Sequence, residues 1–190
     1  MTEFKQILLV SGSGRNCGKT TVACNIIKQL KKSGIVYGLK ITPHFHNTEN
    51  SQHIVEEGNG YKIFKETDSC SGKDSSRMLI AGANEVYFIQ CSDEGLHGIH
   101  DRVKQILPDD IPVVCESGSF ANVFQPGLHI LVEGFNIDNS KRSYKLNLKR
   151  AEIVMRKGDF TQTDLNYLIG YSGTGWTIVK NECFKFSKGD

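Results

Sequence analysis

Gln6-Ile7-Leu8-Leu9-Val10-Ser11-Gly12-Ser13-Gly14-Arg15-Asn16-Cys17-Gly18-Lys19-Thr20-Thr21 is the stretch on which the reading of this chain turns. Residues 6–10 are short and nearly continuously apolar, the pattern of a strand buried on both faces of a parallel sheet, and they end in the turn signal Ser11-Gly12. Beyond the glycines, Val22, Ile26, Ile27 and Leu30 recur at helical spacing, Lys28, Lys31 and Lys32 occupy the outer face and last turn, and Gly34 supplies the stop. Strand, glycine-rich loop and helix are therefore contiguous. Such a loop turns backbone N–H groups inward, and the helix behind it adds the positive end of its dipole, so the segment is suited to an anion with several oxygens.

The loop closes on Gly18-Lys19-Thr20-Thr21, the end of a P-loop in its required strand-to-helix context. In this reading Gly14, Arg15, Asn16, Cys17, Gly18, Lys19, Thr20 and Thr21 surround the phosphates of GTP or ATP. Lys19 is the catalytic point charge on the terminal phosphates, and the Thr20 hydroxyl takes one position on Mg2+. Ser13 stands where the motif usually has its first glycine, so the start of the loop is expected to differ from the common form. A second metal-binding and catalytic group is expected as a carboxylate at the end of a neighbouring strand. Glu116, after Ile111-Pro112-Val113-Val114-Cys115, fits that place at the carboxyl edge of a sheet; Glu133, after Ile130-Leu131-Val132, competes with it.

Outward from the loop, residues 35–41 read as a second strand closed by Pro43. Residues 44–74 are polar, with one short strand at 61–64, and read as a substrate or lid region. A helix at 75–81 ends at Gly82, a strand follows at 85–90, and Ile99, Val103, Ile106 and Leu107 mark a helix stopped by Pro108. Further strands are expected at 112–115, 129–132 and 153–155. The tail carries a short helix begun by Asp164 and glycine-rich segments around Trp176 and Phe184 that suit an edge hairpin. The alternation predicts an α/β fold, a three-layer α/β/α P-loop domain with a mostly parallel sheet, spanning residues 1–190 as one domain with a core at 1–160 and an extension at 161–190.

The chain has 190 residues, 38% apolar and 23% charged, with a formal net charge of +2, the balance of a folded domain and not of a disordered tail. Basic residues are dispersed, so nothing demands a nucleic-acid partner, and no apolar run approaches the ~18–20 residues of a membrane span. Cys17, Cys24, Cys70, Cys91, Cys115 and Cys183 contain no CxxC pair and read as reduced thiols of a cytoplasmic protein.

Lys40, His44 and His46 leave the second strand at the edge of the phosphate loop, where they can meet another anion. Lys73, Ser75 and Arg77 form an anion-binding cluster at a helix start, with Asp74 as the helix cap. His44, His46 and Cys70 are too sparse a set for structural zinc.

Three runs then match one family in order: Asn16-Cys17-Gly18-Lys19-Thr20-Thr21, Leu39-Lys40-Ile41-Thr42-Pro43-His44-Phe45-His46, and Gly72-Lys73-Asp74-Ser75-Ser76-Arg77 followed by Ala81-Gly82-Ala83. On these runs the sequence resembles the MobB family, P-loop accessory proteins of molybdopterin-guanine dinucleotide biosynthesis within the dethiobiotin-synthetase-like branch. The likeness departs at Ser13, in the polar stretch before Gly72, and at Glu116-Ser117-Gly118-Ser119, where the family more often has glutamate-glycine. The resemblance implies GTP binding with slow hydrolysis, magnesium dependence, a homodimer, and assistance to a partner enzyme of cofactor biosynthesis. No Asn-Lys-x-Asp guanine-reading motif occurs, so the residues themselves leave ATP and GTP open. The alternative is an ATP-dependent small-molecule kinase or ligase in which residues 47–74 close over an acceptor.

Overall fold

In the computed structural model, which describes residues 1–45, 52–137, 141–156 and 169–178, the N-terminal apolar run is the centre of a longer strand, β1 (Thr2–Gly12). Its first residues alternate between solvent and core, and from Gln6 to Ser11 every residue is buried, as a strand must be when sheet neighbours and helices cover it. β6 (Val113–Glu116) and β7 (Phe124–Glu133) flank β1, both parallel to it. β2 (Tyr37–Thr42) lies beyond β6, β5 (Glu85–Cys91) beyond β2, and β8 (Ile153–Arg156) beyond β7, all parallel. β4 (Tyr61–Glu66) adds to β5 antiparallel, and β3 (Gln52–Gly58) adds antiparallel to β4. The eight-stranded sheet thus runs β3-β4-β5-β2-β6-β1-β7-β8, mixed but mostly parallel.

Alternate residues of the central strands feed two apolar clusters. Leu8, Val10, Val114, Ile130 and Val132 pack with Val22, Ile26 and Ile27 of α1 (Lys19–Lys31) and Met78 of α2 (Asp74–Ile80). Ile7, Leu9, Val113 and Cys115 point the other way. They meet Leu96 of α3 (Asp93–Gly98), Val103 of α4 (His100–Ile106) and Phe120 of α5 (Phe120–Val123).

The stretch at 44–74 is more ordered than its sequence reading. Its described part holds the β3–β4 hairpin, joined through Asn59-Gly60, a strong two-residue hairpin signal. β3 escapes a period-two reading because its register shifts between Ile54 and Glu56, placing Ile54 and Val55 side by side, both exposed on the sheet edge. α6 (Arg142–Arg150) also lacks an apolar period; it is anchored by Tyr144 and by Asn147, whose side-chain amide donates to the Gly118 carbonyl at 2.9 Å.

The tail hairpin is present as β9 (Ile169–Ser172) and β10 (Gly175–Ile178), but as a separate two-stranded sheet, not an edge of the main one. Tyr171 and Trp176, with ring centroids 4.9 Å apart, pack on the cluster beneath α1. His46, the helix expected from Asp164, Cys183 and Phe184 lie outside the described residues. Among the described residues, no helix is long and apolar enough to cross a membrane.

Candidate functional site

The loop between β1 and α1 is closed by two unusual backbone positions and one close approach. Asn16 (φ 57°) and Gly18 (φ 107°) are left-handed, and at Gly18 the turn into the helix favours a residue without Cβ. A Cβ on Gly12 would lie 2.7 Å from Lys19 Cγ and press on the Cys17 thiol, so the loop can fold back over its own start only with glycine there. Ser13 explains its departure from the motif. Its N–H donates to the Val132 carbonyl at 3.0 Å, and its hydroxyl accepts from the Gly134 N–H at 2.9 Å, tying the loop to the end of β7.

α1 begins with no side-chain cap and no acidic residue of its own in its first turn, which leaves its first backbone N–H groups without a side-chain capping partner. Lys19 arches back over the loop, donating to the Gly14 carbonyl at 2.5 Å and reaching Cys17 Sγ at 3.5 Å. Gly14, Arg15, Asn16, Gly18, Lys19, Thr20 and Thr21 line a cavity of about 1050 Å³. Cys17 does not line it; its side chain is buried in the apolar cluster under the loop. Any contact from Cys17 to a bound anion would therefore come from its backbone.

Lys40, Lys73, Arg77 and Glu116 border the same cavity, together with His44. Lys73 is exposed, and Arg77 Nη1 stands 3.9 Å from Asp74 Oδ1. The centre is set by strand register: Lys40 on β2 and Val10 on β1 both pair with Glu116 on β6, which lies between them. Lys40 Nζ consequently meets Glu116 Oε1 at 2.7 Å and Asp74 Oδ2 at 2.7 Å. Burial acts to lower the Lys40 pKa, but the Glu116 and Asp74 carboxylates outweigh it and hold the ammonium above its ordinary value.

Asp74 corrects the sequence reading. It is not a helix cap: α2 is preceded by Lys73 with no side-chain capping bond, and the Asp74 carboxylate instead accepts from Thr20 Oγ1 at 2.9 Å and from Lys40. Burial opposes its charge, yet Lys40 and the Thr20 hydroxyl bring its pKa below the usual aspartate value. The signal for this role was Lys40 two strands away, which a local helix-start rule does not weigh.

Glu133 is engaged elsewhere. It accepts from Tyr144 Oη at 2.5 Å and from Arg156 Nε at 3.4 Å, fastening α6 to β7, and it does not border the cavity. Burial, and then this bond to Glu133, push the Tyr144 hydroxyl up to about 12. Lys141 and Ser143, at the start of α6, also border the cavity, and Lys141 Nζ is 3.8 Å from where a Gly14 Cβ would be. Without an apolar period in α6, nothing in the sequence pointed to them.

Among the described residues, no cluster of three or more His, Cys, Asp or Glu is arranged to hold a metal. Mg2+ does not need one, because it retains waters and uses one or two carboxylates together with phosphate oxygens. Glu116 fits that pattern: its side chain is 1% exposed, and Oε2 is buried with no hydrogen-bond partner. No protein-family model matches the chain, and no curated protein sequence matches it.

Proposed function

We propose that this chain is a three-layer P-loop protein that binds a nucleoside triphosphate, GTP or ATP, with Mg2+ and hydrolyses it slowly. In this reading it is a cytoplasmic homodimer of MobB type, assisting a partner enzyme of molybdenum cofactor biosynthesis. The observation that carries the nucleotide-binding reading is the bond from the Thr20 hydroxyl to Asp74, continued through Lys40 to Glu116, beside an uncapped helix start.

Each group then has a task. The loop amides from Gly14 to Thr21 hold the polyphosphate, and Lys19 moves from the Gly14 carbonyl to the terminal phosphate, where it stabilises developing charge. Thr20, Asp74 and Glu116 would hold Mg2+, which when bound offsets phosphate charge as a Lewis acid. Lys73 and Arg77 add positive charge at the rim of the cavity.

One observation favours a second reading. The cavity continues past Lys40 to Pro43, His44, Phe88 and Gln90, leaving room for an acceptor of an ATP-dependent kinase or ligase. Phosphate release separates the two. A slow NTPase releases phosphate from nucleotide alone, and a kinase or ligase turns over when its acceptor is added.

The deciding experiment is a thermal-shift panel of ATP, GTP, CTP and their diphosphates, with and without magnesium. Stabilisation by a triphosphate that disappears in Lys19→Ala supports the nucleotide reading; no stabilisation by any nucleotide overturns it.

A further inference from the structure

We infer that Lys40 is a tethered counter-ion that keeps the Asp74 and Glu116 carboxylates closed to a divalent cation until a nucleotide arrives. The inference rests on the nucleotide-binding reading and goes beyond it by assigning an order of events.

The geometry is specific. One ammonium stands 2.7 Å from Glu116 Oε1 and 2.7 Å from Asp74 Oδ2, while Thr20 donates to the other Asp74 oxygen at 2.9 Å. Lys40 Nζ fills the space between the two carboxylates, so a cation held by both of them, directly or through its waters, would displace it. Charge reinforces the exclusion. With the ammonium in place the pair carries a single net negative charge, a weak lure for a strongly hydrated dication. Arg77, 3.9 Å from Asp74 Oδ1, adds a second positive group on the outer side.

Burial explains why the protein needs this plug. The Glu116 side chain is 1% exposed, and a buried carboxylate without a counter-charge is strongly unfavourable. Lys40 has somewhere else to go, because it borders the same cavity as the phosphate loop and has a flexible four-carbon stem. A polyphosphate in the loop offers it a new anionic partner, and the carboxylates are freed as the cation that accompanies the phosphates enters. Metal and nucleotide are thereby coupled: each binds more tightly with the other present.

The test uses Mn2+ as the probe on the full chain, with free Mn2+ counted by electron paramagnetic resonance. Without nucleotide, wild type is expected to bind Mn2+ weakly and Lys40→Met at least about tenfold more tightly, since one competing positive charge is gone. Lys40→Met should also melt below wild type in chelator and recover on adding Mn2+, a rescue that loss of packing alone would not produce. Lys40→Gln repeats the measurement with a donor but no charge, and Lys40→Met/Glu116→Gln should lose the gain. Lysine variants that bind Mn2+ no better than wild type, while wild type is still stabilised by Mn2+ with triphosphate, overturn the counter-ion role alone. Absence of that triphosphate stabilisation in wild type overturns the nucleotide reading itself.

Discussion

Asp74 accepts from the Thr20 hydroxyl, next to Lys19, with Lys40 on its second oxygen, and in the proposed nucleotide site that carboxylate has few other uses. Asp74→Asn keeps the shape and the contact with Thr20 but removes the charge. It should still bind nucleotide, with magnesium affinity in the ternary complex weakened by at least about tenfold, read as the concentration of Mg2+ needed for half the thermal shift. Glu116→Ala should likewise lose mainly the magnesium dependence of that shift. Lys19→Ala should lose the shift altogether, which in wild type corresponds to about 2.7 kcal/mol when ligand is a hundredfold above its dissociation constant. Gly18, Lys19 and Thr20 were legible because strand, loop and helix are contiguous in sequence. Asp74 was not: an aspartate at a helix start looks like a cap, and the partners that outbid that role come from β2 and α1, which only the folded sheet brings near.

At the level of the strand pair, β1 and β7 are joined, just before the loop that leads into α1, by Ser11 Oγ and His129 Nε2 at 2.7 Å. Burial, and then the nearby Arg150 guanidinium, depress the His129 pKa to about 4, so the ring is neutral in the folded protein at neutral pH. An unfolded histidine titrates near 6.5, so the unfolded chain binds more protons between those values. Stability from this group is therefore complete above pH 6.5 and is lost as pH falls toward 4, by up to about 3 kcal/mol. Urea unfolding from pH 7 to 4.5 should show that slope in wild type and a flatter one in His129→Gln. Elements were readable where burial leaves a pattern, a helical period in α1 and unbroken apolar runs in the central strands. They were hidden where it does not: a bulge breaks the alternation of β3, and α6 is held by Tyr144 and Asn147, polar anchors that leave no apolar stripe.

For the molecule as a whole, protection should follow the sheet from centre to edge. β1, β6 and β2, covered by apolar clusters on both faces, are expected to exchange backbone hydrogens slowest, and edge strand β3 and the β9–β10 hairpin fastest. Ile26→Ala, on the buried face of α1, should cost about 2–5 kcal/mol in a denaturant titration. The α/β class was legible because parallel strands buried on both sides are apolar runs, and the antiparallel addition of β4 and β3 was not, because nothing in a single strand states its direction. The pairing of Lys40 with Glu116 has one more consequence, felt before any ligand is met. If β2 slid by a single step during assembly, Glu116 would face Leu39 or Ile41, an acid against oil, and the misaligned sheet would be rejected. The same lysine–glutamate pair thus favours one register as the strands come together.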